Sequence, residues 1–164
     1  MQKRILFLLV VIALFSCSTN KMNFLQFEIS ELEKNGYSIY LDNILIDLTN
    51  TYLNSDNILS VNQSKSSKMV EIVRKDKNTI FISLNDLLNQ KKYNTTIDRI
   101  VINNIQIDNS KVSKVKFELG AIKDIRLLTQ NDYQGKEYDD LPQVKDIIGN
   151  GVLIINTFSL VEPR

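Results

Sequence analysis

The sequence predicts an α+β fold, a small single domain built on a mixed or mostly antiparallel sheet with two short helices. Three observations carry that expectation. Short runs rich in β-branched residues alternate apolar with polar positions, Asx pairs that tolerate tight turns fall between them, and two stretches carry helix start and stop signals. At 164 residues the chain can bury one real core but is too short for two well-packed domains.

Taken in order, Asn20 to Asn23 reads as a polar tether, and residues 24–164 as the domain. Leu25, Phe27 and Ile29 alternate as in a strand, while Leu25, Ile29 and Leu32 also fit a helical face, so that segment stays ambiguous. Tyr37, Ile39 and Leu41, then Ile44, Ile46 and Leu48, alternate on either side of Asp42-Asn43, which predicts two strands in a hairpin. Asn62 to Lys68 is rich in Ser and Lys and reads as a loop. Met69 to Val73 and Thr79 to Ile82 are rich in β-formers and flank Arg74-Lys75-Asp76-Lys77, which predicts a second hairpin around a solvated turn. Ser83 can cap a helix running through Leu84 to Lys92, because its hydroxyl can accept orphan amide hydrogens and Asp86 places a negative charge near the positive helix end. Leu84, Leu87 and Leu88 would form its inward face.

Ile100, Val101, Ile102, Ile105 and Ile107, then Val112, Val115 and Phe117, suit buried strands. Gly120 interrupts, Ile122 to Leu128 is a further apolar segment, and Asn131 to Asp140 is a polar loop. Pro142 and Gly149 bracket a short helix from Leu141 to Ile148, and Val152 to Ile155 closes as a strand. The Asp-Asn-Ile-Leu string occurs at Asp42 and again at Asp56, but the flanking residues do not repeat, so no internal repeat is expected.

Composition narrows the chemistry. With no His and no Trp, the chain has no histidine-assisted nucleophile and no histidine metal ligand. Its single cysteine, Cys17, excludes an intramolecular disulfide, a cysteine-ligated zinc and a CxxC pair. The net charge is +1, and removing a leader that carries Lys3 and Arg4 leaves 18 basic against 19 acidic side chains, a net −1, so no nucleic acid or other polyanion is expected as a partner. Asp139-Asp140 and the Glu31 and Glu33 pair are carboxylates on polar stretches, where they point apart into water rather than converge on a substrate. Asp132, Glu137, Asp139 and Asp140 lack the alternating spacing and glycine of a calcium loop, so no metal is expected there. The tyrosines at 37, 40, 52, 93, 133 and 138 are scattered, at spacings that suit a core or its edge.

The N-terminus is distinctive. Lys3-Arg4 precedes an uninterrupted apolar run from Ile5 to Phe15, shorter than the roughly 20 residues a membrane-spanning helix needs, and Ser16 to Asn20 follows without a stop-transfer pattern. This is the layout of an export signal over residues 1–16. Leu14-Phe15-Ser16-Cys17 resembles the bacterial lipobox, with leucine three places before the cysteine and a small residue immediately before it. The resemblance implies cleavage before Cys17, a diacylglycerol on its thiol, an acyl chain such as palmitate on its amine, and a lipidated tether over residues 17–23. Each buried methylene adds about 0.8 kcal/mol, so two or three chains anchor a protein stably. Ser18 stands where an aspartate would signal inner-membrane retention, so the resemblance points to an outer-membrane anchor facing the periplasm.

From about Asp98 to Thr157 the segments also resemble the second half of the plug domain of TonB-dependent outer-membrane receptors. Ile100-Val101-Ile102-Asn103-Asn104-Ile105-Gln106-Ile107-Asp108 is similar to the plug strand-turn-strand, Ala121-Ile122-Lys123-Asp124-Ile125-Arg126-Leu127-Leu128 to its I-x-x-I-x-V-L segment, and Gly149-Asn150-Gly151-Val152-Leu153-Ile154-Ile155-Asn156-Thr157 to its closing strand. Asn103-Asn104 replaces the family's Asp-Gly, the glycine-rich element before the last strand is reduced, and the sequence stops at Arg164, where a receptor would begin its barrel, so a transporter is not expected. The resemblance implies a free plug-like module that binds a partner or a ligand at the envelope, the partner being an outer-membrane receptor or another envelope protein.

The expectation is therefore a non-catalytic, lipid-anchored interaction module without a cofactor. Two other classes stay open. A small-ligand or glycan-binding lipoprotein would show an exposed aromatic surface or a deep pocket, and an enzyme relying on carboxylates, Ser or Lys would show two such groups converging in one cleft.

Overall fold

A computed structural model describes residues 19–91, 93, 96–129, 132 and 151–158. The expected export signal, Cys17, the loop expected at 133–140 and the helix expected at 141–148 lie outside them. The fold class is α+β, with open mixed sheets.

The first half starts with strand β1 (Thr19–Met22), so the expected tether over 17–23 is mostly a strand, paired antiparallel with β5 (Ile58–Ser64). The ambiguous segment is helix α1 (Gln26–Lys34). Ile29 is buried and Leu32 packs on the core while Phe27 is 66% exposed, so the helical phase of Leu25, Ile29 and Leu32 prevails over strand alternation. β2 (Ser38–Leu41) and β3 (Ile44–Ile46) form the expected hairpin. Asp42 and Asn43 both have positive φ, 49° and 69°, the conformation of a two-residue turn that matches strand twist. After β4 (Thr51–Tyr52) come β5 and β6 (Met69–Arg74), and the five-stranded sheet has the order β1-β5-β6-β2-β3, with β2 and β6 parallel. β5 extends to Ser64, so the loop expected from Asn62 begins three residues later, at Lys65.

The second expected hairpin does not form. β6 is already flanked by β5 and β2, and β7 (Phe81–Ser83) pairs instead with β10 (Lys116–Glu118), beside which β4 lies parallel. Helix α2 (Leu84–Gln90) follows with the expected cap: Ser83 Oγ accepts the Asp86 N–H at 3.1 Å and donates to Asp86 Oδ2 at 2.6 Å.

The second half then repeats the first. β8 (Arg99–Ile102) and β9 (Ile105–Ile107) form a hairpin through Asn103-Asn104, again with positive φ at both turn residues, 51° and 64°. β11 (Ile122–Thr129) and β12 (Gly151–Thr157) complete a sheet of order β11-β12-β8-β9, which matches β5-β6-β2-β3 strand for strand and direction for direction. Local bonds repeat too. Asp42 Oδ1 accepts the Arg74 N–H at 3.0 Å, and Asn103 Oδ1 accepts the Thr157 N–H at 2.8 Å. Asp47 and Asp108 each cap the turn after their hairpin. The expectation of no repeat is corrected. The matching register is Asp42-Asn43-Ile44-Leu45-Ile46-Asp47 with Asn103-Asn104-Ile105-Gln106-Ile107-Asp108, not the string at Asp56.

Each half has its own apolar centre. One gathers Ile29, Ile39, Leu41, Leu48, Leu53, Val61, Val70 and Ile72; the other Leu84, Leu87, Ile100, Ile102, Val115, Phe117, Leu153 and Ile155. They interlock, because Tyr52 of β4 enters the second centre, stacked on Phe117 with ring centroids 5.2 Å apart, while Phe81 of β7 packs on the first.

Candidate functional site

The residues singled out in the sequence mostly stay apart. Glu31 pairs with Lys34 at 2.6 Å on the surface, whereas both oxygens of Glu33 accept the Leu48 N–H, at 3.3 and 3.1 Å, so the two carboxylates serve separate local bonds. Burial raises the Glu33 pKa, against the lowering effect of the Leu48 N–H. Asp132 accepts the Thr129 N–H and hydroxyl, both at 2.7 Å, while Glu137, Asp139 and Asp140 lie outside the described residues. Among the described residues no group of three acidic, His or Cys side chains could hold a metal, and no helix is long and apolar enough to cross a membrane. Burial pushes the Tyr52 hydroxyl up to about 12, as suits a core residue.

The charged turn is where the structure departs most from expectation. Lys75, Asp76 and Lys77 are exposed, but Arg74 ends β6 with its side chain buried at the junction of the halves. Strand alternation explains this, since Val70, Ile72 and Arg74 share one face of β6 and all point inward. The guanidinium donates from Nε to Asp42 Oδ2 at 2.7 Å, from one terminal nitrogen to the Thr79 carbonyl at 3.1 Å and Glu118 Oε1 at 3.4 Å, and from the other to the Lys77 carbonyl at 2.9 Å. It also stands 5.5 Å from the Phe81 ring centroid.

Glu118 is fully buried. Its oxygens also accept the Asn54 N–H at 2.8 Å and the Asn57 side-chain amide at 2.5 Å, so this carboxylate from the second half closes three bonds to the first. Burial works to raise the Asp42 pKa, but the Arg74 N–H and guanidinium outweigh it and hold the carboxyl below its ordinary value. One guanidinium serves both carboxylates, and none of the three side chains has a buried polar atom without a partner, so the cluster acts as a junction that fixes how the halves sit together. Sequence reasoning missed it. The available signal was the strand period carrying Arg74 inward.

Elsewhere the surface carries two kinds of feature. The outer hairpin edges expose aliphatic residues, with Ile44 and Leu45 on β3 and Ile105 at the matching place on β9. The outer face of the first sheet carries a registered row, Lys21, Asn62, Glu71, Tyr40 and Leu45, across its five strands. No protein-family model, curated protein or solved structure matches this chain.

Proposed function

We propose that this chain is a non-catalytic lipoprotein of the cell envelope, anchored through lipid on Cys17 to the periplasmic side of the outer membrane, with a plug-like body that docks on an envelope protein. One observation carries the plug-like reading: the strings that resemble the plug come together in a single sheet. Residues 100–108 form the β8-β9 hairpin, 121–128 enter β11, and the described part of 149–157 is β12, in the order β11-β12-β8-β9. Asn103-Asn104, the departure from Asp-Gly, still adopts the left-handed turn that Asp-Gly favours. Internal saturation of the Arg74 cluster supports a non-catalytic body.

Crosslinking tagged protein in its native cells, then identifying what co-purifies with wild type but is lost with Cys17→Ala, tests this reading. Recovery of an outer-membrane receptor supports it. A lipidated protein that captures nothing shifts the weight to ligand or glycan binding, for which Tyr40 beside Glu71 on the open sheet face is the supporting feature.

A further inference from the structure

We propose that the β5–β6 end of the first sheet is a membrane-contacting surface, on which Lys65 and Lys68 meet the headgroups of an anionic bilayer. The inference rests on the Cys17 anchor of the proposed function, and on where the strand pairing puts that anchor. β1 starts at Thr19, directly opposite Ser64 at the end of β5, with Met69 and Ser38 next across the sheet. Only Ser18 separates Cys17 from Thr19. Two residue steps span at most about 7 Å even when fully extended. That is shorter than the Debye length of about 8 Å at physiological ionic strength, so a lipid on Cys17 keeps this end within electrostatic reach of the bilayer.

The charge at that end suits the surface it would face. The β5–β6 turn is Lys65-Ser66-Ser67-Lys68, all four residues exposed, and Met69 beside it is 36% exposed. The β1, β5 and β6 side of that end, residues 19–20 and 63–70, contains Lys65 and Lys68 and no carboxylate; Lys21 lies further in, in the row of Glu71, and Asp47 follows Ile46 at the β3 corner. Backbone pairing holds the turn in place, since the Ser38 N–H donates to the Lys68 carbonyl at 2.9 Å. The nearest helix end adds Lys34, already paired with Glu31, and Glu33, already bonded to the Leu48 N–H. At the far end of the same strands, Asp42, Asp56 and Asp76 mix with Arg74, Lys75 and Lys77, whereas the β5–β6 turn on the anchor side carries two lysines and no carboxylate of its own. Each lysine near an anionic surface strengthens contact roughly fivefold.

The absence of tryptophan makes a direct test possible. The body from Cys17 is coupled through its thiol to maleimide lipid in vesicles, so that the readout does not depend on cellular lipidation. Single-tryptophan variants Ser66→Trp, at the turn, and Asn78→Trp, at the opposite end, are then compared for quenching by nitroxide-headgroup lipid, with far-UV circular dichroism confirming the fold. Ser66→Trp should be quenched on vesicles containing phosphatidylglycerol and Asn78→Trp should not. Adding Lys65→Glu and Lys68→Glu should remove most of that quenching, and so should raising the salt. Equal quenching at both sites, or none at Ser66→Trp, overturns the orientation. Palmitate labelling of wild type against Cys17→Ala tests the anchor separately, so either idea can fail without the other.

Discussion

Replacing Arg74 with methionine removes the cation from the junction while keeping most of its apolar volume. Glu118, with no exposed surface, and Asp42, whose side chain is 7% exposed, would then be buried carboxylates without their counter-charge. Removing one partner of a buried ion pair costs about 3–5 kcal/mol, because the remaining charge cannot return to water. For a body of this length that is a fall in Tm of about 10–15 °C. The assay is urea unfolding of the body from residue 18, followed by circular dichroism. A double-mutant cycle with Glu118→Gln isolates the coupling. On its own, Glu118→Gln turns an amide toward Asn57, whose own carbonyl is held by the Asp76 N–H at 2.9 Å, and should cost about 1–3 kcal/mol. In the Arg74→Met background the same change also neutralises an uncompensated charge, so it should cost less or restore stability. A loss below about 1 kcal/mol for Arg74→Met would refute the claim that this cluster fastens the two halves.

Three further outcomes follow from named bonds. Asp42→Asn keeps the left-handed turn and an acceptor for the Arg74 N–H, as Asn103 does in the second half, but loses the charged bond, so it should cost about 1.5–3 kcal/mol at neutral pH. Because the Asp42 pKa is lowered in the fold, its contribution is present above the unfolded value and lost as pH falls through the folded one; acid unfolding curves of Asp42→Asn should lack that part of the pH dependence. Gln26→Leu should cost about 1–3 kcal/mol in chemical denaturation, since the buried amide donates to the Thr51 carbonyl at 2.8 Å and accepts the Leu53 N–H at 3.1 Å. Glu33 has the opposite sign. With its pKa raised, its contribution is present below the unfolded value and lost as pH rises through the folded one, so Glu33→Gln should gain stability relative to wild type at pH 7 compared with acid conditions.

Local rules carried much of this fold. The Asp42-Asn43 hairpin, the Ser83 cap and the closing apolar strand were legible because each depends on a few adjacent residues: turn dihedrals, a hydroxyl near free amides, β-branched side chains. The lipobox string is equally local, and it motivates the Cys17 proposal from sequence alone.

Tertiary structure decided the rest, because pairing between distant strands has no local signature. Nothing around Arg74 says that β6 turns away from β7 to lie between β5 and β2, since that choice is made by where Val70 and Ile72 find a core. The same pairing carries Arg74 inward to a carboxylate 44 positions away. The repeat escaped the sequence because the topology is retained while side chains diverged, with Tyr40 matched by Val101 and Gln63 by Leu127, and only strand order and turn geometry remain in common. The α+β class, the Asx turns of the two matching hairpins and a candidate anchor were written in local sequence. Only the assembled sheets decided that the body is one unit built twice, fastened by a buried charge cluster, because burial and pairing depend on residues far apart in the chain.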